Sequence, residues 1–341
     1  MRRPRSSSPD TTARGPGLRT RANLLLALTA FIWGMGFVAQ RLGADHMGAM
    51  SFNAVRFAIG AVSLLPLIWW FSRRRRRQAA LAAYPEPPVG EIPRPPAHPS
   101  RSAWLPGLVV GLVLFTAAGL QQVGIADTTA GKAAFITGLY MLMVPLLGTL
   151  IGQRIAPAVW VGIALALPGL WLLSVTGRFT IATGDVLVLV GAFFWAVHIL
   201  VIDHYIRTVD ALQLSAVQFA SCAVLSTGAA LLFESDPFGG MGPALAAILY
   251  SGVVAVGVAY TLQVVAQRHA KPSHAALLLS LEAVFGALGG VLILGETMTA
   301  RMVLGASLMM AGILISLRGS HDEPAAPAPD PDRRGASHPA A

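Results

Sequence analysis

Two stretches decide the fold: Ala30–Phe37, AFIWGMGF, and Ala192–Ile199, AFFWAVHI. Each is apolar with a tryptophan near its middle, and each is followed by a second matched stretch, Phe52–Phe57 (FNAVRF) and Leu214–Phe219 (LSAVQF). Both pairs keep one offset, about 162 residues. Further along, Gly152, Gly162 and Gly169 are matched by Gly295, Gly305 and Gly312 at a second constant offset of about 143. One unit is written twice. Each copy carries five hydrophobic segments, and an odd count forces the two copies to lie oppositely in a bilayer. Inverted-topology repeats of this kind are the architecture of many secondary transporters.

Composition agrees with a membrane setting. The chain has 341 residues, 55% hydrophobic and 12% charged, which excludes a water-soluble globule with a polar exterior. The net charge of +9 does not point to nucleic acid. The arginines gather in the N-terminal tail and one loop, where they set orientation. Cys222 is the single cysteine, so an intramolecular disulfide is excluded and a thiolate metal site is not expected. Arg2, Arg3, Arg5, Arg14 and Arg19 ahead of a hydrophobic run superficially copy a cleavable signal peptide. The run from Asn23 to Gln40 is long enough to span, has no small-residue cleavage site and has a counterpart in the second copy, so it is read as a retained first helix.

A helix needs about 20 apolar residues to cross the hydrocarbon. Segments of that order lie at 22–40, 50–71, 104–124, 129–151 and 156–175 in the first copy. In the second they lie at 183–202, 211–233, 243–266, 272–294 and 299–317. All are read as helices, because backbone amides in lipid must bond within the segment or within a closed barrel, and the alternation of a barrel strand is absent. The fold expected is an all-α integral membrane protein of ten transmembrane helices in two inverted five-helix repeats. The repeats cover 22–175 and 183–317, with tails at 1–21 and 318–341. Positive charge falls on one side: the N-terminal tail, Arg73–Arg77, Arg154, Arg207, Arg268 with Lys271, and Arg318. The other side offers mainly Arg41, Arg178 and Arg301. Both termini are therefore expected in the cytoplasm, in a multi-pass protein of the cytoplasmic membrane. The loop 72–103 and the C-terminal tail are rich in proline and charge and are expected to be disordered. The arginine run serves as a topological anchor or as a contact for anionic lipid headgroups.

Polar groups at membrane depth are costly and usually face a cavity or a partner. Arg56 shares a helical face with Asn53, Gly60 and Ser63, and the matching segment repeats the stripe as Ser215, Gln218 and Cys222. Both are read as cavity-lining faces, with a structural arginine bonded to neighbouring carbonyls as the alternative. Lys132 opens the fourth segment, where the helix dipole disfavours a cation. It either attracts an anionic group, such as a substrate carboxylate, or snorkels to water. Glu282 lies in the middle of the ninth segment and must pair, hydrate or protonate. It is a proton-coupling carboxylate, or else a salt-bridge partner or a cap to a broken helix. Trp33 and Trp195 occupy equivalent mid-segment positions, read either as packing or as aromatic walls shared with Tyr140 and Tyr260. His198 is an interhelical hydrogen-bond donor or a proton relay, and Gln121 and Gln263 are matched neutral hydrogen-bonding positions. Gly107 with Gly111, Gly148 with Gly152, and Gly286 with Gly290 have the four-residue spacing of close helix packing. Pro145 and Pro168 are expected to kink the fourth and fifth segments.

Enzyme motifs do not hold up. Gly131-Lys132 has the wrong spacing from Gly124 for a phosphate loop, and Ala133 stands where serine or threonine is required. HExxH and GxSxG are absent, and Ala182-Thr183-Gly184-Asp185 lacks a glycine of the intramembrane aspartyl protease motif. No enzymatic activity, cofactor or metal is expected.

The chain resembles the EamA-type transporters of the drug/metabolite transporter superfamily over about residues 22–317. The resemblance rests on the tryptophan-centred first and sixth segments, Arg56-Phe57, Thr129–Ala133 with Leu139-Tyr140 and Pro145, and Ser280-Leu281-Glu282 followed by Leu294-Gly295-Glu296. Gly152-Gln153 lacks the family's usual glutamate, and Ala283 stands where proline often follows the glutamate, so the resemblance alone supplies no helix break at Ala283. It implies a central cavity bounded by helices one to four and six to nine, with five and ten peripheral. It also implies transport of small organic solutes, often outward, by alternating access. The partners expected are a small organic solute, a coupling proton or counter-solute, and membrane lipids, with no nucleic acid. Import or exchange of metabolites, and lipid scrambling or flopping, are the alternative functions.

Overall fold

The computed structural model describes residues 16–82, 102–128, 130–174, 182–294 and 297–319. Ten helical spans there are long and apolar enough to cross a membrane. In chain order they are α1 (Pro16–Ala44), α2 (Ala49–Ala82), α3 (Trp104–Ala126), α4a (Ala130–Gly138) with α4b (Tyr140–Leu150), and α5 (Pro157–Ser174). The second copy supplies α6 (Thr183–Ile206), α7 (Ala211–Phe233), α8 (Leu245–Gln267), α9a (Pro272–Leu279) with α9b (Glu282–Leu294), and α10 (Ala300–Gly319). Most of the N-terminal tail, the proline-rich part of the loop at 83–101, Arg178, Gly295, Glu296 and the C-terminal tail from 320 lie outside the described residues.

The burial pattern is that of a membrane protein. Leu150, Leu232, Phe233 and Trp104 face outward, while Asn53, Arg56, Gln122, His198, Gln218 and Glu282 are buried. Hydrocarbon does not reward burying apolar groups, so the helices associate by close contact and internal hydrogen bonds. The seam between α5 and α10 shows this. A Cβ on Gly162 would lie 2.7 Å from the Gly312 carbonyl oxygen, and one on Gly169 would lie 2.6 Å from that of Gly305. Gly305 and Gly312 face the Gly169 and Gly162 carbonyls in return. Contacts of 162 with 312 and 169 with 305 run antiparallel, and these four glycines are repeat equivalents. Two equivalent helices lying antiparallel make the repeat inverted. The spaced pair Gly107 and Gly111 also packs internally, against Val217 and Ser221 of α7.

Three local departures from the sequence expectation concern helix continuity. The second helix does not stop at residue 71 but runs on to Ala82, so the start of the loop expected to be disordered is helical. Arginine is a good helix former, and Arg73 and Arg74 lie 4.0 and 5.6 Å from the Trp69 and Trp70 ring centroids. The fourth span breaks at Leu139 rather than at Pro145, and α5 continues through Pro168. The ninth span breaks at Ser280-Leu281, without a proline. At both breaks the turn tightens, with Leu139 N–H bonding the Ile136 carbonyl at 3.2 Å and Leu281 N–H bonding that of Leu278 at 3.2 Å.

The two copies begin their second helices differently. Asp210 caps α7 from its own chain end, accepting from the Leu212 and Gln213 amides at 3.1 and 3.2 Å. The equivalent residue in the first copy is Gly48. There the carboxylate comes from Glu234, at the far end of α7, which accepts from Met50 N–H at 2.7 Å and Ser51 N–H at 3.2 Å. A side chain on Gly48 would collide with the Glu234 carboxylate. Ser51 Oγ in turn accepts from the amide of Phe238 at 2.9 Å, a non-glycine residue held at φ +66°.

Two stability outcomes follow from these contacts. Gly162→Leu should cost about 1–3 kcal/mol or more by forcing α5 from α10, read as a lower melting temperature in detergent, whereas Gly228→Ala, with open space around it, should not. Glu234→Ala should cost about 0.5–2 kcal/mol. Adding Gly48→Asp to that variant should restore most of the loss by copying Asp210, and would fail to do so if Glu234 were not acting as the cap.

Candidate functional site

The two helix breaks just described and a third irregular stretch line one cavity. α4 and α9 break there, and in α8 the stretch Tyr250–Tyr260 is wound as a π-helix. Wide turns of this kind recur at functional sites. Their carbonyls take bonds from α1: Trp33 Nε1 donates to the Ala255 carbonyl at 3.1 Å and Thr29 Oγ1 to that of Ala259 at 3.2 Å. Tyr250 Oη donates to the Ile32 carbonyl at 2.8 Å. α2 closes on the other side of α8, where a Cβ at Gly252 would lie 2.8 Å from Ile59.

Between these helices lies a cavity of about 50 Å³. Arg56 of α2, Gln121 of α3, Tyr140 of α4b and Thr137 of α4a line it from the first copy, with Trp33, Gly36, Phe37 and Gln40 of α1. The second copy contributes Trp195 and Ile199 of α6, Ala255, Val256, Tyr260 and Gln263 of α8, and Leu279 and Glu282 of α9. Tyr260 is the aromatic centre, its ring 4.5 Å from that of Trp33 and stacked 6.0 Å from that of Trp195. Trp195 is fixed by its indole N–H, which donates to Gln121 Oε1 at 2.6 Å, and Gln121 Nε2 donates to Gln40 Oε1 at 3.1 Å.

Two ionisable side chains face this space. Arg56 donates through Nε to Asn53 Oδ1 at 2.9 Å, and Asn53 donates to the Ala118 carbonyl at 3.1 Å. The guanidinium lies 5.0 and 5.5 Å from the Phe57 and Phe52 ring centroids, where the ring faces attract a cation. Among the described residues no carboxylate forms an ion pair with it. Glu282 is in the first turn of α9b, where the helix dipole favours a carboxylate. Its Oε1 and the hydroxyl of neighbouring Tyr140 have no hydrogen bond of normal geometry, and neither do Thr137 Oγ1 and Gln263 Oε1. Buried polar atoms are normally satisfied. Tyr140 and Glu282 face each other, and Thr137 Oγ1 and Gln263 Oε1 are groups that a solute or water would complete.

The structure thus brings Trp33, Arg56, Gln121, Tyr140, Trp195, Tyr260, Gln263 and Glu282 to one cavity and leaves four expected residues outside its lining. Asn53 stands behind Arg56 and orients it. Lys132 pairs with Asp185 at 2.6 Å, and Asp185 also accepts from Ala182 N–H at 2.8 Å and from Thr128 Oγ1. This lysine is held by α6, not presented to the cavity. His198 Nε2 and Gln218 Oε1 hydrogen-bond to each other at 3.0 Å, so α7, implied as a cavity wall, contributes no lining residue. Gln40 and Thr137 were not among the expected residues. Helical spacing signals both, since Gln40 lies seven residues beyond Trp33 and Thr137 three before Tyr140.

Comparison with known proteins agrees with this geometry. An uncharacterized transporter of Archaeoglobus fulgidus is 32% identical over 304 residues, covering 88% of this chain and 87% of its own. An uncharacterized transporter of Bacillus subtilis is 28% identical over 309 residues, covering 86% of this chain and 92% of its own. A solved crystal structure of another protein superposes over 89% of this chain and 99% of its own with a TM-score of 0.67 at 19% identity, a likeness of fold. The description of the EamA-like transporter family matches residues 20–175 and again 182–318, the two copies that converge on the cavity. With both repeats matched and the ten spans in place, this chain is a membrane transporter that belongs to the EamA-like transporter family.

Proposed function

We propose that the chain is a secondary exporter, moving a small organic solute out across the cytoplasmic membrane by alternating access, with both termini cytoplasmic. The observation that carries this reading is the cavity itself, lined from both inverted copies and holding Arg56 and Glu282 without ion-pair partners among the described residues. At about 50 Å³ it has room for a few waters, far below the roughly 300 Å³ at which organic-ligand pockets begin. The solute therefore enters only when the two copies part at one end. Rocking of one inverted bundle against the other supplies that motion. Arg56 meets an anionic group of the solute, the Trp33, Trp195 and Tyr260 rings hold its body, and Glu282 with Tyr140 carries the coupling proton.

The test is transport by purified protein in liposomes, with a panel of labelled amino acids, nucleosides and amphipathic drugs trapped inside and a fluorescent lipid as the comparison. Release of one soluble class, dependent on an imposed pH gradient, is expected, and headgroup flipping without solute release would overturn the reading. Glu282→Gln should abolish the pH dependence. If it transports normally and keeps the wild-type pH profile, Glu282 carries no proton. Arg56→Gln should weaken binding of anionic solutes about tenfold or more, the size of one lost charge-assisted bond, as read from thermal stabilisation across the solute panel.

A further inference from the structure

The central cavity is not the only space on the seam between the copies. A larger recess of about 350 Å³ lies at one end of the bundle, lined by Arg154 and Val159 of the first copy and by Asp203, Arg207 and Lys271 of the second. It shares no lining residue with the cavity, yet the two are close. On α6, Ile199 lines the cavity and Asp203 the recess, and four residues of helix rise about 6 Å. On α8 and the turn after it, Gln263 lines the cavity and Lys271 the recess. The recess is therefore in line with the cavity, on the same helices and between the same two copies.

What separates the two spaces is a thin layer with a polar member. Gln267 stands midway between Gln263 and Lys271, one turn on from Gln263 and on the same face of α8. Its Nε2 donates to the Ile199 carbonyl at 3.0 Å, which ties the end of α8 to the cavity-lining turn of α6. Val144, one turn on from Tyr140 in α4b, and Ala275, one turn back from Leu279 in α9a, are fully buried and face the same way by helical spacing. Packing alone does not ask for a carboxamide in such a layer. Gln267 is 1% exposed and its Oε1 has no hydrogen-bond partner, a cost in the closed state that water would remove once the layer opens.

The end of the bundle opposite the recess is tied from copy to copy. At the start of α6, Asp185 of the second copy holds Thr128 and Lys132 of the first. At the end of α7, Glu234 of the second copy caps α2 of the first. Parting of the copies at that end breaks both carboxylate contacts, whereas parting at the recess end asks Gln267 to release Ile199.

We propose that the recess is the mouth through which solute reaches the cavity and that Gln267 is the gate between them. The inference rests on the transport reading and adds to it a route and the side chain that yields. When the copies part at the recess, Gln267 lets go of the Ile199 carbonyl and its carboxamide is hydrated.

Thiol labelling in membrane vesicles tests this without a known solute. Cys222 is the only cysteine, so Cys222→Ser gives a thiol-free background. In it, Gly36→Cys places a thiol on the cavity wall, where a Cβ meets neighbours no closer than 3.9 Å. Arg154→Cys, made separately, marks the membrane face on which the recess opens. A small membrane-impermeant methanethiosulfonate is added from either face. The cavity thiol is expected to react from the face that Arg154→Cys marks. Gln267→Ala should raise that rate about three- to tenfold, the range of one lost hydrogen bond, without raising it from the other face. Glu234→Ala should raise it from the other face only. A cavity thiol that does not react from the marked face, or a Gln267→Ala effect that is absent or equal from both faces in correctly folded protein, overturns the proposal. Solute release in liposomes by a protein that fails this labelling test sinks the gate alone, while labelling as expected with no solute class released sinks the exporter reading.

Discussion

In hydrocarbon a backbone amide has no water to turn to, so it bonds within its own helix or inside the protein. That constraint arranges this molecule. The sites where the ladder loosens are the ones that supply cavity-lining residues. The tightened turns at Leu139 and Leu281 and the wide turns of Tyr250–Tyr260 give three neighbouring helices a polar backbone at membrane depth. Thr29 and Trp33 answer two of the carbonyls.

The inverted repeat supplies a frame in which equivalent positions carry unequal chemistry. Gly36 and Arg56 in the first copy correspond to His198 and Gln218 in the second. Gly36 leaves space and Arg56 fills part of it with charge, while His198 and Gln218 are engaged with each other. Leu139 corresponds to Glu282, so the same tightened turn offers an apolar group on one side and a carboxylate on the other. The cavity is symmetric in construction and polar in an uneven way.

Much of this was legible in the sequence because hydropathy and internal repetition are long-range, redundant signals. The ten spans, the inversion and the family follow from them. Individual side chains are less legible, since a residue's partner often lies on a segment far away in sequence. Lys132 read as attracting an anionic group or snorkelling to water, and the anionic group it meets is Asp185, on another helix. Asn53 read as lining, yet its role is to hold Arg56. The helix breaks left no proline to mark them, and Pro145 and Pro168, which looked like the signal, sit inside ordinary helix. The wide turns of α8 depend on how α1 and α2 pack around it, which no local pattern in residues 250–260 records.

The exchange of Gly48 for the acid found at Asp210 reaches beyond local stability. Two identical inverted halves would give states open to either side equal free energy, and the machine would idle at balance. Here the start of α2 borrows its carboxylate from the end of α7, so a bond joins the two halves at that end. Motion that draws α2 from α7 at that end must give up the Met50 and Ser51 contacts, a cost of about 0.5–2 kcal/mol for a cap. A difference of 1.4 kcal/mol is a tenfold change in occupancy. The glycine at 48 is what leaves room for that bond between the halves.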